Sequence, residues 1–194
     1  MNETHIHNRP IAYDSILRKS REMGFSMISD LYMGSLLKTL VSSKPKGHFL
    51  ELGTGSGLGT SWILDGMDRA SKLITVDNDP EIIAIAKQYF GKDNRANLVC
   101  MDGGEWIKTY NGEPFDLIFA DAWPGKFYEV PETLALVRPG GFYLIDDLLP
   151  GSDWPEGHQE KVDDLISYLD QRTDFELTKM QWSTGLIIAT RKIE

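Results

Sequence analysis

Five short, nearly all-apolar runs, at residues 48–50, 73–76, 97–101, 115–120 and 141–145, recur along the chain with amphipathic stretches between them. Runs of this kind are strands covered on both faces, as in a parallel sheet. The intervening segments 60–69, 80–90, 104–110 and 127–137 read as helices. Alternation at this spacing implies right-handed βαβ crossovers and so a doubly wound α/β sheet. Two further helices, at 13–22 and 30–41, precede the first strand, the second with an apolar face of Leu31, Gly34, Leu37 and Leu40 or Val41. At the far end a helix at 157–171 leads into strands at 175–179 and 186–190 around a turn at 182–185, a terminal antiparallel hairpin. The expectation is one domain of 194 residues: a helical cap at 1–46 on a mostly parallel, seven-stranded, Rossmann-like core at 47–194.

Charge narrows the partners. A formal net charge of -9 gives a surface that repels phosphate backbones and anionic lipid, so neither nucleic acid nor a membrane surface is expected as a partner. The opening residues 1–10 lack the basic-then-apolar pattern of a secretory signal, and no apolar run is long enough to cross a bilayer, so a cytoplasmic location is the default. Cys100 is the only cysteine and sits in an apolar run, which reads as a buried thiol.

The segment 49–60, FLELGTGSGLGT, follows the first strand and opens a helix, where doubly wound folds bind ligands. Its glycines do not fit the dinucleotide fingerprint G-x-G-x-x-G, because counting from Gly53 or Gly55 the third position is Leu58 or Thr60. No lysine follows in the position a P-loop needs. The pattern is E-x-G-x-G-x-G, with Glu51 two residues before Gly53, Gly55 and Gly57. Asp77 ends the second strand, where a carboxylate can accept both hydroxyls of a ribose, with Asn78 beside it; Asp79 reads as the cap of the next helix. Asp102, Gly103 and Gly104 end the third strand, Asp102 being either an adenine contact or a helix cap. Asp121 ends the fourth, and the fifth runs into Asp146 and Asp147.

The E-L-G-T-G-S-G string resembles the first motif of the class I S-adenosylmethionine-dependent methyltransferases. Together with the carboxylates after strands four and five, nearly the whole chain resembles the small catechol-type O-methyltransferases. The resemblance implies that Glu51, Gly53, Gly55, Gly57, Asp77, Asn78, Asp102, Gly103, Gly104 and Asp121 bind S-adenosylmethionine. It adds Met27 and Trp123 as cofactor contacts, each of which ordinary core burial also explains. It further implies that Asp121, Asp146 and Asp147 hold a divalent cation, Mg²⁺ or Ca²⁺, although Asp147 stands where that family has an amide. Without a cation, three carboxylates in one cleft raise one another's pKa, so either a metal is held or one Asp is a base.

Three candidates for catalysis follow: Asp121; Lys126, displaced from the family's lysine by Pro124-Gly125 and otherwise read as a solvated surface residue; and His158, in the loop 151–158 with Trp154 and Glu156. The expected activity is methylation of a small hydroxylated or phenolic molecule. N- or C-methylation, an NAD(P)-dependent oxidoreductase and a non-catalytic binding module are the alternatives. The N-terminal helices and the hairpin offer a surface for a homodimer.

Overall fold

A computed structural model describes residues 6, 8–151 and 154–193. Seven strands form one sheet: β1 (His48–Leu52), β2 (Lys72–Asp77), β3 (Ala96–Cys100), β4 (Phe115–Ala120), β5 (Val137–Ile145), β6 (Phe175–Met180) and β7 (Leu186–Arg191), in the order β3-β2-β1-β4-β5-β7-β6. The first five are parallel, and β7 lies antiparallel between β5 and β6. The expected seven-stranded, mostly parallel sheet with an antiparallel hairpin is therefore present. Register fixes where function can sit. Leu52 pairs with Val76 and with Ala120, and Ala120 pairs with Ile145, so the chain leaves β1, β2, β4 and β5 at one edge.

Alternation along each strand sends residues to two cores. Leu50, Leu52, Ile118 and Tyr143 face α5 (Gly103–Thr109), α6 (Val130–Ala135) and α7 (His158–Asp170). Phe49, Leu117, Phe119 and Leu144 face α2 (Leu31–Ser42) and α3 (Leu58–Gly66). Each such side chain, almost wholly withdrawn from water, contributes roughly 1.5–3 kcal/mol, so these two layers dominate the stability. A third cluster joins α1 (Tyr13–Glu22) to α3 and α4 (Pro80–Phe90) through Tyr13, Ile16, Trp62 and Ile85. Gly34 lets α2 approach α3, because a Cβ there would lie 2.2 Å from Trp62 Nε1.

Some boundaries differ from expectation. The helix expected at 60–69 is α3, which starts earlier because Gly57, at φ 96°, turns directly into it. The helix expected at 127–137 shortens to α6 because residues 123–128 form a turn on the Trp123 carbonyl. Strand β5 starts at Val137 through an irregular pairing with β4. Cys100 is exposed rather than buried, because β3 lies at the edge of the sheet. Among the described residues, no helix is long and apolar enough to cross a membrane.

Candidate active site

The glycine loop is folded onto the end of β2. Gly53 N–H and Thr54 N–H donate to the Val76 carbonyl at 2.9 and 3.2 Å, and Gly55 N–H donates to Asp77 Oδ2 at 2.7 Å. Asp77 Oδ1 accepts from Asp79 N–H at 2.9 Å, so its carboxylate is held by backbone on both oxygens while further lone pairs stay open. Asp79 caps α4 as expected, accepting from Glu81 and Ile82. The glycines have different reasons. A Cβ on Gly53 would lie 2.6 Å from the Asp121 carbonyl, so the β1 and β4 exits pack too closely for any side chain there. Gly55, at φ 50°, meets only the Phe25 ring, at 3.3 Å.

Glu51 lies beneath this loop, fully buried. Its Oε2 accepts from Thr60 and Thr75 hydroxyls at 2.5 and 2.6 Å, while Oε1 has no partner. Burial, only partly offset by those two hydrogen bonds, pushes the carboxyl up to about 7. Its visible role is to tie β1 to β2 and to the first turn of α3.

The other strand ends surround the same edge. Asn78 is exposed after β2. Asp102 caps α5 by accepting from Glu105 N–H at 2.9 Å, and Gly103 faces Pro124, with a Cβ position 3.1 Å from the proline ring. Trp123 is 43% exposed and Met27 is 78% exposed, so neither is a core residue. The reading of both as ordinary burial is corrected: each lies in a connection at the ligand edge. Segment 25–30 also brings Ser29 Oγ to 3.4 Å from Asp121 Oδ2, a contact that the sequence did not signal.

Asp121, Asp146 and Asp147 converge, with one oxygen of each within 4.8 Å of one another. Asp146 is buried and its Oδ1 has no hydrogen-bond partner among the described residues. Burial first, then the neighbouring carboxylates, pushes Asp121 up to about 7 and raises Asp146 well above the usual range; Lys126 pulls both down. Asp147 has φ 55°, a conformation Asp tolerates better than most residues.

Lys126 is 4% exposed, so the reading of it as a solvated surface lysine is overturned. The cause is local. Lys126, Phe127 and Tyr128 N–H groups all donate to the Trp123 carbonyl, and buried Tyr143 donates to the Gly125 carbonyl at 2.5 Å. This turn returns the chain toward the sheet. The Pro-Gly pair that separates Lys126 from Trp123 is thus the device that brings it inward, a turn signal legible in the sequence.

His158 is buried at the start of α7, and neither ring nitrogen has a hydrogen-bond partner among the described residues. Trp154, Phe127 and Trp123 surround it, with ring centroids 4.3, 5.1 and 6.3 Å away. It is neither solvated nor a hydrogen-bonded core histidine. Burial, followed by the charge of Lys126, lowers its pKa, so the ring is neutral at neutral pH. Glu156 is exposed; Ser152 and Asp153 of the same loop lie outside the described residues.

A doubly wound sheet with antiparallel β7 inserted between β5 and β6, and a glycine loop tied to an acidic strand end, defines a Rossmann-like domain of the methyltransferase kind. The chain belongs to the methyltransferase-domain family, whose model matches residues 50–148. A Mycolicibacterium vanbaalenii protein named "Putative O-methyltransferase" is 33% identical over 144 residues, 70% of this chain and 63% of the relative. A Mycobacterium leprae protein of the same description is 32% identical over 70% of this chain and 64% of its own length. The match therefore spans less than two thirds of these relatives. The fold is that of the O-methyltransferase TomG from Streptomyces achromogenes, solved with SAM (TM-score 0.86, 20% identity, 98% of this chain and 94% of that one). It is also that of an O-methyltransferase from Bacillus cereus, solved with SAH (TM-score 0.82, 19% identity, 98% and 94%).

Proposed function

We propose that the protein transfers a methyl group from S-adenosylmethionine to a hydroxyl of a small hydroxylated or phenolic molecule. The observation that carries this reading is the convergence of Asp121, Asp146, Asp147 and buried Lys126 beside the glycine loop. Family membership sets aside the oxidoreductase alternative. Nothing in the site favours nitrogen or carbon over oxygen, whereas hard carboxylate oxygens suit a divalent cation that binds an acceptor oxygen.

The donor set fits such a cation. Three carboxylates against one ammonium leave two negative charges, which a divalent ion neutralises, and the unpartnered Asp146 Oδ1 gains a partner. The second carboxylate at Asp147, in place of an amide, is then matched by the inward lysine. Bound there, Mg²⁺ or Ca²⁺ lowers the pKa of the acceptor hydroxyl.

S-adenosylmethionine supplies a methyl already activated by its sulfonium, so the protein's task is mainly alignment. The Gly55 backbone and Asp77 hold the cofactor's amino acid and ribose ends; Asp102, Gly103, Gly104 and Trp123 hold the adenine. Neutral His158, enclosed by aromatic rings, takes the acceptor's proton.

The test is calorimetry with S-adenosylhomocysteine, then S-adenosylhomocysteine release over a panel of phenols, in chelator and with Mg²⁺ restored. Micromolar binding and turnover that falls in chelator and returns with Mg²⁺ are expected. Failure to bind S-adenosylhomocysteine removes the proposal; turnover indifferent to chelator removes the cation from it.

A further inference from the structure

The three carboxylates are not held in the same way. Asp121 and Asp146 continue strands β4 and β5, so the sheet aims them. Asp147 lies past the last β5 residue, is only half-buried, and bends the chain through φ 55°. A residue there needs an external restraint to keep its carboxylate on the cluster.

That restraint comes from the β6–β7 turn, 37 residues away. Asp147 N–H donates to Thr184 Oγ1 at 3.2 Å. Leu149 N–H donates to the Thr184 carbonyl at 2.8 Å, and Leu148 N–H to the Gly185 carbonyl at 3.3 Å. Gly185 is pressed against this segment, since a Cβ there would lie 2.6 Å from Leu149 N. The turn closes by its own bond, from Gly185 N–H to the Trp182 carbonyl at 3.0 Å, so the Thr184 hydroxyl is not needed to form it.

The turn is itself anchored. Ser183 Oγ donates to Asp30, whose other oxygen accepts from Met33 N–H to cap α2, and Trp182 packs on Tyr32 at 5.3 Å. Asp30 follows Ser29, which touches Asp121. One turn therefore braces both the third carboxylate and the segment lying over the glycine loop.

We propose that Thr184 is a positioning residue: its hydroxyl fixes the backbone of Asp147 so that the carboxylate completes the cation site. This rests on the cation reading above. Thr184 touches neither cofactor nor acceptor; it acts through Asp147. Partners one step removed from a metal typically change its affinity by about 10–100-fold when lost.

The probe is Mn²⁺, titrated into the full chain and followed by the electron paramagnetic resonance signal of the free ion. Thr184→Val, which keeps the shape but not the hydroxyl, is expected to weaken Mn²⁺ binding about tenfold. Thr184→Ser, which keeps the hydroxyl, stays within about twofold of the wild type on the same reasoning. Thr184→Ala serves as a second hydroxyl-free variant and matches Thr184→Val. S-adenosylhomocysteine affinity stays the same in all three, because the Thr184 hydroxyl acts on the Asp147 backbone, whereas the segment over the glycine loop is braced through Ser183 and Trp182, which are unchanged. Wild-type Mn²⁺ binding with no loss in the hydroxyl-free variants overturns the role of Thr184 and leaves the cation reading intact. Equal weakening in Thr184→Ser overturns the hydroxyl as the cause. Absence of Mn²⁺ binding in the wild type overturns the cation reading, and this inference with it.

Discussion

Glu51 offers a quantitative test of how the loop is supported. Its carboxyl is fully buried, takes two threonine hydroxyls on one oxygen and none on the other, and is held at about 7 against an ordinary 4.5. The folded protein therefore keeps a proton that the unfolded chain releases. The stability tied to this group is fully present below pH 4.5 and is lost as pH rises through about 7. At ~1.4 kcal/mol per pH unit, the loss across that window is about 3 kcal/mol. The perturbation is Glu51→Gln, which cannot titrate. Urea unfolding of both proteins is followed from pH 5 to 8.5, and wild-type stability minus variant stability is plotted against pH. The difference cancels carboxyls that do not sense Glu51; Asp121, raised in small part by the Glu51 charge, leaves a minor remainder in the same pH range. It is expected to fall by about 3 kcal/mol, most steeply below neutrality. Its absolute level is not predicted, since the amide must find its own partners. A difference that stays flat with pH would falsify the account of a protonated, desolvated Glu51.

Gly34→Ala drives a methyl into the Trp62 indole, whose nearest atoms lie 2.2–2.5 Å from the Cβ position, and is expected to cost roughly 1–3 kcal/mol in urea unfolding. An unchanged midpoint means that α2 and α3 shift apart at no cost. His158→Phe removes two buried nitrogens without partners, so the urea midpoint is expected to rise or hold. Methyl transfer on the best phenol falls by about 10²–10⁴-fold if His158 is the proton acceptor, and a variant that retains full turnover assigns the proton elsewhere.

The layout of strands, the terminal hairpin, the glycine loop and the acidic strand ends were all legible in the sequence. Each depends on local pattern: apolar runs of strand length, glycines where the chain must bend, and carboxylates one residue past a strand. Five side chains differ from at least one of the readings the sequence allowed. Lys126 points inward because a Pro-Gly turn is pinned by Tyr143 from another strand. Cys100 is exposed because the order of the sheet, which no local run encodes, leaves β3 at the edge. Trp123 and Met27 lie in connections at the ligand edge rather than in the core. His158 is enclosed because loop residue Trp154 and turn residue Phe127 meet across 27 positions of chain. The sequence by itself determined which carboxylates reach the cleft, since a strand's end is a local property. Only the tertiary structure decided how their charge is balanced and how Asp147 is aimed, because Lys126 and Thr184 act through contacts that exist only once distant segments have packed.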